Sequence, residues 1–330
     1  MKPSETTNNN SKVEEVWMGA FPICLYQGFW CPPNLLQPTI LFQTQFKAYD
    51  NDIILASLPK TGTTWLKSLI FAIVNRNKFL DFTQHPLQTQ NAHELVLQLE
   101  AKVYNNITNG STQPDFPKLP SPRLFATHIP YFSLPKSLKT SKTRIVYVCR
   151  NPLDTFVSSW HFYHQFKLNM KPELDHSMIE QHFGKFCEGK FLYGPYEDHV
   201  LGYSKESIQN PDKVLFMEYE GLIEDPKAHV KKLAEFVGYP FSMEEEKGNI
   251  IDEIIKLCSF DSLKEMEVNK SGNFYGYFEN KALFRKGGTG DWTNYLTLSM
   301  VKKFDEIFQL KFKGSGFSFN HYQFFSGTPK

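Results

Sequence analysis

Short apolar runs alternate with amphipathic segments along most of the chain. Four runs rich in apolar and β-branched residues predict strands, at 52–57, 123–127, 144–149 and 214–218. Three of them are followed by segments with apolar positions at helical spacing, at 63–76, 151–167 and 225–237. Strands separated by helices favour right-handed βαβ units. The pattern therefore predicts an α/β fold, with a single domain whose central, mainly parallel sheet is flanked by helices.

The N-terminus and two internal stretches depart from this pattern. Residues 1–12 are polar and lack the apolar core of a signal peptide, so they are predicted to form a disordered tail. Residues 108–122 and 269–290 show no regular period, and such stretches in a compact domain are usually lids, binding loops or disordered segments. No apolar run approaches the ~20 residues that a membrane-spanning helix needs.

Charge and cysteine content narrow the class of protein. The 36 lysines and arginines nearly balance the 35 acidic residues, so bulk charge indicates neither a nucleic-acid nor a membrane partner. The five cysteines form no Cys-x-x-Cys pair, which is typical of reduced thiols in a cytosol-like compartment. The 30 phenylalanines either fill the core or line a pocket for a flat apolar ligand. These features predict a soluble cytoplasmic protein.

An anion-binding turn is predicted between the first strand and its helix. Residues 58–67 read Leu-Pro-Lys-Thr-Gly-Thr-Thr-Trp-Leu-Lys, so Lys60 precedes the only glycine, whereas the lysine of a P-loop follows its second glycine. The following residues would present amides and hydroxyls at a helix N-terminus, where anions are attracted: Thr61, Gly62, Thr63, Thr64 and Trp65. The stretch suits a phosphate-like group, and the alternative is a capped helix with an exposed lysine.

Two more cationic stretches are candidates for a second anion seat. Arg150 follows the strand at 144–149, at the sheet edge where open α/β folds bind ligands, and Ser158 lies about two helical turns further on. The alternative is that Arg150 only pairs with Asp154. Near the C-terminus, Arg285, Lys286 and Gly287 begin a glycine-rich stretch that could close over a phosphate or form a basic surface turn.

A candidate proton acceptor follows another predicted strand. His128 comes directly after the strand at 123–127 and should project at the same sheet edge as Lys60 and Arg150. Histidine is the natural proton acceptor near neutral pH. Most of the ten histidines must be structural or solvated, so this shared edge is what singles out His128.

Together these stretches resemble the cytosolic sulfotransferases, which transfer a sulfuryl group from 3′-phosphoadenosine 5′-phosphosulfate (PAPS) to a small acceptor. The resemblance extends from about residue 40 to the end of the chain, so 13–330 would form one sulfotransferase domain. It is strongest to the soluble plant members, through Tyr-Gln-Gly-Phe-Trp-Cys-Pro-Pro at 26–33, Phe-Ala-Ile-Val-Asn-Arg at 71–76, Tyr-Gly-Pro-Tyr at 193–196 and Leu-Cys-Ser-Phe at 257–260. The family ending Arg-Lys-Gly-x-x-Gly-Asp-Trp is also present, at 285–292.

The resemblance implies a donor site for PAPS, with PAP (adenosine 3′,5′-bisphosphate) as product. The loop 60–65 would hold the 5′-phosphosulfate. The 3′-phosphate would be held by Arg150, Ser158, Arg285, Lys286 and Gly287. The adenine would lie among Trp65, Tyr219 and Phe260, with Ser259 placed to bond its edge. No residue must serve as a metal ligand, so charge neutralisation would fall to Lys60 and the helix N-terminus.

The resemblance also implies an in-line displacement at sulfur. His128 would take the acceptor proton, Lys60 would stabilise charge on the bridging oxygen, and Ser158 would interact with Lys60 before the acceptor arrives. Two departures from the animal members matter. Ala126 stands where many animal members have a lysine two residues before the histidine, and plant-like members commonly lack that lysine. The animal dimer motif K-x-x-x-T-V-x-x-x-E corresponds here to Thr293, Thr297, Leu298 and Lys302, so its lysine and glutamate ends are missing, which favours a monomer over a homodimer.

The acceptor is the least constrained part of the prediction. Its candidate pocket comprises Tyr131, Phe132, Trp160, Tyr163 and His164, with the loops 77–90 and 269–284. An aromatic wall suits a flavonoid or another phenolic first, with a steroid or a hydroxyjasmonate-type acid as alternatives. The rival functions are a P-loop nucleotide kinase, which would need magnesium, and an inactive nucleotide-binding scaffold.

Overall fold

Buried strands alternate with helices in the computed structural model, which describes residues 12–17, 21–110, 116, 119–168, 176–276 and 278–321. The strands are Lys12–Trp17 (β1), Phe21–Tyr26 (β2), Phe29–Cys31 (β3), Ile53–Ser57 (β4), Leu97–Gln98 (β5), Leu124–Thr127 (β6), Arg144–Cys149 (β7), Val214–Glu218 (β8), Asn273–Phe274 (β9) and Phe278–Glu279 (β10). The α-helices are Pro33–Gln45 (α1), Thr63–Asn75 (α2), Ala92–Leu95 (α3), Asn105–Thr108 (α4), Lys136–Thr140 (α5), Pro152–Leu168 (α6), His176–Cys187 (α7), Tyr196–Gln209 (α8), Tyr219–Glu224 (α9), Pro226–Phe236 (α10), Met243–Lys247 (α11), Ile250–Leu257 (α12), Phe260–Glu265 (α13), Glu267–Lys270 (α14) and Leu298–Phe312 (α15).

The central sheet has five parallel strands in the order β5–β6–β4–β7–β8. Strand β4 lies between β6 and β7. The chain adds β5 and β6 on one side of β4 and later adds β7 and β8 on its other side. Ligands of open parallel sheets bind at such a switch point, beyond the carboxyl ends of the strands. The loops after β4, β6, β7 and β8 therefore meet at one edge. The predicted α/β class with a mainly parallel central sheet is confirmed.

Two apolar layers cover the sheet. Ile54 and Ala56 of β4 belong to one layer, and Ile53 and Leu55 belong to the other, because successive side chains of a strand point to opposite faces. All five residues of β4 are buried, as expected for a strand covered by helices on both faces. The long helices α6 and α8 pack in the first layer, and α2 and α10 pack in the second.

No end of a predicted strand or helix differs from the observed end by more than one residue. At the first strand this has a clear cause, because Asp52 lies just outside β4 and accepts hydrogen bonds from Arg123 Nε at 2.7 Å and Nη2 at 2.5 Å. Both side chains of this ion pair are buried. Asp225 caps α10 by accepting from the amide of Ala228, as the Asp-Pro start of that helix suggested.

Two antiparallel elements were not predicted. Strands β1, β2 and β3 form a three-stranded sheet, and β9 pairs with β10 inside the stretch predicted to be irregular at 269–290. The predicted tail at 1–12 lies outside the described residues except for Lys12, which begins β1. The predicted loop at 108–122 is described only in part, and the boundary of one domain at 13–330 stays a prediction. No helix of the described ranges is both long and apolar enough to span a membrane.

Candidate active site

The loop between β4 and α2 presents a bare helix N-terminus. Gly62 has φ 108°, in the left-handed region that favours glycine, and a Cβ there would lie 2.7 Å from Cδ2 of Tyr219. As N-cap of α2, Gly62 provides no side chain to accept from the first amides. Thr61 instead donates its hydroxyl to the carbonyl of Leu58 at 2.8 Å, so its side chain points away from the loop's open side. The free amides of α2 make this loop suitable for an anion.

Lys60 extends from this loop in a strongly cationic environment. Its Nζ lies 4.0 Å from the centre of the Phe162 ring. Burial lowers the pKa of Lys60 to about 7, and the nearby charges of Arg150 and Arg285 act in the same direction. An incoming anion would reverse the effect of these charges and favour the protonated lysine. The alternative of an incidental exposed lysine does not fit this burial.

Arg150 spans the space between this loop and the C-terminal glycine-rich stretch. Its Nη2 donates to the carbonyl of Gly288 at 2.6 Å and its Nη1 to the carbonyl of Lys60 at 3.4 Å. Its buried Nε has no acceptor within the described part of the chain. The alternative pairing with Asp154 is not what the structure shows, because the Asp154 carboxylate accepts the amides of Gly290 and Trp292 at 2.7 and 3.1 Å.

Arg285 and Lys286 converge on one carboxylate. Arg285 Nη2 lies 2.6 Å and Lys286 Nζ 2.5 Å from the two oxygens of Asp291. Burial would raise the pKa of Asp291, but hydrogen bonds from both cations and from Asn294 lower it to about 2. The Asp291 carboxylate is thus the anion that these two cations bind in this structure.

Gly287 follows these cations in a space that no side chain could share. It has φ 72°, and a Cβ there would lie 2.4 Å from the Phe260 ring. Its carbonyl accepts from the hydroxyl of Tyr219 at 3.0 Å. Trp65 meets the Tyr219 ring edge to face, with centroids 5.5 Å apart. Aromatic rings therefore surround the backbone beside the cations.

A single cavity of about 650 Å³ joins these groups. Thirteen of the fourteen predicted donor-site residues line it, together with His128: Lys60, Gly62, Thr63, Thr64, Trp65, Arg150, Ser158, Tyr219, Ser259, Phe260, Arg285, Lys286 and Gly287. Thr61 is the exception, since its side chain is turned inward. Four cationic side chains line the cavity, and none of the described lining residues is an aspartate or a glutamate. The cavity therefore favours a ligand with several negative charges.

His128 is held with one ring nitrogen toward the protein. Its Nδ1 lies 2.7 Å from the carbonyl oxygen of Ser57, which can only accept, so Nδ1 carries the proton and Nε2 keeps a lone pair. Burial lowers the pKa of His128 to about 3, against the effect of the Ser57 bond. The ring is therefore neutral at neutral pH. A neutral imidazole with a free lone pair in a cavity can act as a general base.

Glu100 supports His128 and was not identified from the sequence. It is fully buried and accepts the amide of His128 at 2.7 Å and the hydroxyl of Thr127 at 2.9 Å. The carbonyl of His128 lies 2.9 Å from Nε2 of the buried His199. The sequence signal for Glu100 is an acidic residue within the mainly apolar run at 95–104, which by itself does not indicate a site.

The acceptor pocket needs correction. Of its five predicted residues, only Tyr163 lines the cavity. Trp160 and His164 are buried against each other on another face of α6, with ring centroids 3.7 Å apart, whereas Ser158 and Phe162 face the cavity. Residues four apart share a helix face, so these two pairs occupy different faces.

The other predicted parts of the acceptor pocket also lie only partly at the cavity. Tyr131 packs on Tyr203, and Phe132 is 45 % exposed. The predicted loop 77–90 contributes no lining residue, but the segment 269–284 does. The aromatic side chains that line the cavity beyond His128 are Phe21, Phe162, Tyr163, Tyr193, Phe274, Tyr275 and Phe278.

No cluster of three or more histidine, cysteine, aspartate or glutamate side chains suited to a metal ion occurs among the residues that the structure describes. The cysteines Cys24, Cys31, Cys149, Cys187 and Cys258 are buried and unbridged.

Proteins that are similar to this chain in sequence and fold are named as sulfotransferases. Residues 50–316 match the family model described as "Sulfotransferase domain". The chain is 44% identical to cytosolic sulfotransferase 17 of Arabidopsis thaliana, over 96% of this chain and 92% of the relative. It is 46% identical to cytosolic sulfotransferase 5 of the same plant, over 90% of each chain.

Two solved structures of similar fold are also described as sulfotransferases. A putative steroid sulphotransferase of Arabidopsis thaliana superposes with a TM-score of 0.72 at 38% identity, covering 96% of this chain and 99% of the other. A mouse sulfotransferase complexed with PAP has a TM-score of 0.67 at 26% identity, covering 89% and 95%. The chain belongs to the sulfotransferase family.

Proposed function

We propose that the protein transfers the sulfuryl group of PAPS to a hydroxyl of a small, apolar acceptor, with His128 as base. The observation that carries this proposal is that Lys60, Arg150, Arg285 and His128 line one cavity. A donor with phosphate groups at two ends of an adenosine needs cationic groups for each end and an aromatic surface for its base, and the cavity is lined by four cationic side chains and several aromatic rings. PAP is the ligand named for the mouse relative.

The donor's two anionic ends suit two different parts of the cavity. The 5′-phosphosulfate would bind at the α2 N-terminus with Lys60, through the residues from Thr61 to Trp65. The 3′-phosphate would bind Arg150, Ser158, Arg285, Lys286 and Gly287. The unpartnered Nε of Arg150 and the convergence of two cations on Asp291 support this seat. Its binding would compete with Asp291 for the two cations.

The adenine would lie between aromatic rings beside this seat. Trp65, Tyr219 and Phe260 line the cavity there, and an adenine ring stacks well on such side chains. Ser259 lines the same part, but its hydroxyl donates to Ser262 at 2.9 Å and accepts the Ser262 amide as the cap of α13. A bond from Ser259 to the adenine edge would therefore add to or replace these contacts.

The protein's own groups can carry the chemistry of an in-line transfer. The acceptor oxygen forms a bond to sulfur, the bond from sulfur to the bridging phosphate oxygen breaks, and PAP leaves. Nε2 of His128 receives the acceptor proton, because Nδ1 is committed to Ser57. Lys60 stabilises charge on the bridging oxygen, and Ser158, which lines the same cavity, would hold Lys60 before the acceptor arrives.

A flavonoid or another phenolic is the proposed acceptor. Aromatic rings line the cavity beyond His128, and the described lining residues include no carboxylate that would bind a protonated amine. A steroid is the second candidate, because the Arabidopsis relative of known structure is described as a putative steroid sulphotransferase. A hydroxyjasmonate-type acid is a further alternative, and the surplus of cationic side chains would tolerate its carboxylate.

We also propose a cytosolic location, as the names of the relatives suggest, and a monomeric state. The monomer is proposed because Thr293 and Lys302 stand where the dimer motif of the animal members has a lysine and a glutamate. Light scattering of the purified protein at several concentrations tests it, and a concentration-independent dimer mass would refute it.

The test of the function is an acceptor screen with PAPS. Phenolic, flavonoid, steroid and hydroxy-acid pools are incubated with enzyme and PAPS, with and without EDTA, and sulfated products are measured by mass spectrometry. We expect EDTA-resistant product with the phenolic pool. Phosphorylated products that need ATP and magnesium would instead establish a kinase. PAP binding without turnover on any pool would establish an inactive scaffold.

A further inference from the structure

A lysine on the helix behind the anion loop has no contact with the cavity surface. Lys67 lies on α2 and is fully buried, which is rare for a lysine without a specific partner. Its Nζ lies 3.2 Å from Nδ1 of His93. Lys67 is therefore the buried end of a chain of polar groups that leads from the helix packing outward.

His93 connects this lysine to the anion loop. The ring is buried but lines the cavity, and its Nε2 lies 3.0 Å from the hydroxyl oxygen of Thr64 in the first turn of α2. The ring stacks on Phe274 with centroids 5.0 Å apart, and its Nδ1 is also 3.2 Å from the hydroxyl of Tyr275. These contacts fix the ring in one plane, with each nitrogen facing a different neighbour.

Lys67 determines which nitrogen of the His93 ring carries the proton. Burial keeps the pKa of His93 well below its ordinary value, so the ring is neutral and carries one N–H. The ammonium form of Lys67 can only donate, so it requires an acceptor at Nδ1. Nδ1 therefore accepts from Lys67, and the proton of the ring lies on Nε2, where it is donated to Thr64.

The arrangement of donors and acceptors at His93 determines whether the Thr64 hydroxyl donates or accepts. Thr64 accepts from His93, so its own hydrogen is available for another acceptor. Thr64 lines the cavity at the N-terminus of α2, where the 5′ anion of the donor is proposed to bind. In the opposite tautomer Thr64 would donate to His93 and turn a lone pair toward that anion. The ammonium form of Lys67 opposes that tautomer because its hydrogens would face an N–H on Nδ1.

We propose that Lys67 and His93 are positioning residues that orient the Thr64 hydroxyl as a donor to the 5′ anionic group of the nucleotide. The inference rests on the proposed function, since it needs PAPS or PAP in this cavity. It predicts that Lys67, which does not line the cavity, affects the affinity for one end of the ligand and not for the other.

The test compares two nucleotides that differ only at the 5′ end. Affinities for adenosine 3′,5′-bisphosphate and for adenosine 3′-monophosphate are measured by calorimetry for the wild type, Lys67→Met, Thr64→Val and the double variant. We expect Lys67→Met to weaken the bisphosphate roughly tenfold or more and the monophosphate less than about twofold, since bonds to charged groups are the stronger ones. In the Thr64→Val background, Lys67→Met should add nothing.

Lys102→Met is the matched control. Lys102 contributes positive potential at Lys67 and at His93 but has no hydrogen bond in the chain that leads to Thr64. If the general positive field were the cause, Lys102→Met would weaken the bisphosphate as Lys67→Met does, and the inference would be wrong. We expect a change below about twofold.

Further outcomes separate this inference from simpler explanations. If Lys67→Met fails to fold, His93→Phe keeps the ring stack, removes both nitrogens and should show the same selective loss. Equal losses for both nucleotides, or a loss that persists without the Thr64 hydroxyl, would mean a merely structural role and overturn the inference. A wild type that binds neither nucleotide would refute the proposed donor site itself, and with it this inference.

Discussion

Nζ of Lys60 lies 4.0 Å above the ring of Phe162, so the proposed catalytic cation and the aromatic wall are in direct contact. Phe162 also packs on Phe278, with ring centroids 4.9 Å apart. One side chain therefore connects the cation of the anion loop to the β9–β10 hairpin. A cation over a ring is stabilised by about 0.5–2 kcal/mol, which keeps Lys60 inside the cavity before any anion arrives.

Replacing this ring should impair transfer more than donor binding. Phe162→Leu removes the face on which Lys60 rests, and we expect kcat to fall about 2- to 30-fold, the equivalent of the interaction above, with PAP affinity changed less. Phe162→Tyr keeps the ring and is the control, and should retain most activity. Steady-state kinetics with PAPS and a phenolic acceptor measure both. Equal losses in the two variants would show that packing, and not the cation, is responsible.

Substitution of His128 separates chemistry from binding. His128→Asn can still donate to the Ser57 carbonyl but has no basic nitrogen for the acceptor. We expect the rate of transfer to fall about 10²- to 10⁴-fold, as for loss of a general base, while PAP affinity changes little. Single-turnover rates and calorimetry with PAP provide the two measurements. If both fall together, His128 has a structural role and the base lies elsewhere.

The residues of the proposed donor site could be grouped from the sequence because they come from local signals at one sheet edge. Lys60, Arg150 and His128 each follow a buried strand, and parallel strands bring their carboxyl ends together. A strand pattern therefore predicted a three-dimensional neighbourhood. Thr61 differs from the prediction only in the direction of its side chain, which turns inward.

The acceptor wall was not predictable in the same way. Trp160 and Phe162 are two residues apart on α6, and only the packing of the helix decides that Phe162 faces the cavity while Trp160 faces α7 through His182. Phe278 reaches the cavity through a short hairpin whose two-residue strands have no detectable period. Glu100 arrives from a different segment of chain. Such contacts between distant segments leave no local pattern.

Donor affinity should depend on pH through Lys60. Its pKa is about 7 in the empty cationic cavity because burial and like charges oppose protonation, and a polyanion would raise it. Binding above this pKa must therefore take up a proton, so PAP affinity should fall as pH rises from about 7 to about 9, by up to about tenfold per unit. Calorimetry in buffers of different ionisation enthalpy measures the uptake.

Lys60→Met is the control for this pH dependence. It should bind PAP more weakly and with little change across the same range. Burial also lowers the pKa of Lys67 to about 7, but that side chain does not line the cavity, so it should contribute the smaller part. A slope that persists in Lys60→Met would assign the proton to another group. Affinity that rises with pH would contradict the linkage altogether.

A methyl group at Gly62 tests the close contact between the anion loop and Tyr219. In Gly62→Ala the residue must keep φ 108°, and its Cβ would lie 2.7 Å from the Tyr219 ring, so the ring has to move. Since Tyr219 also holds the Gly287 carbonyl, both proposed phosphate seats would shift. We expect PAP affinity to fall at least about tenfold and the free energy of unfolding to fall by about 1–3 kcal/mol.

Gly28→Ala provides the matched control for that substitution. Gly28 lies in the turn between β2 and β3 at φ 88°, and a Cβ there would meet nothing within 4 Å. It therefore suffers a similar backbone strain without any steric contact. We expect a comparable loss of stability in thermal unfolding but an unchanged affinity for PAP. If Gly62→Ala loses only stability, as Gly28→Ala does, the loop can relax around the methyl group and the contact with Tyr219 does not shape the donor site.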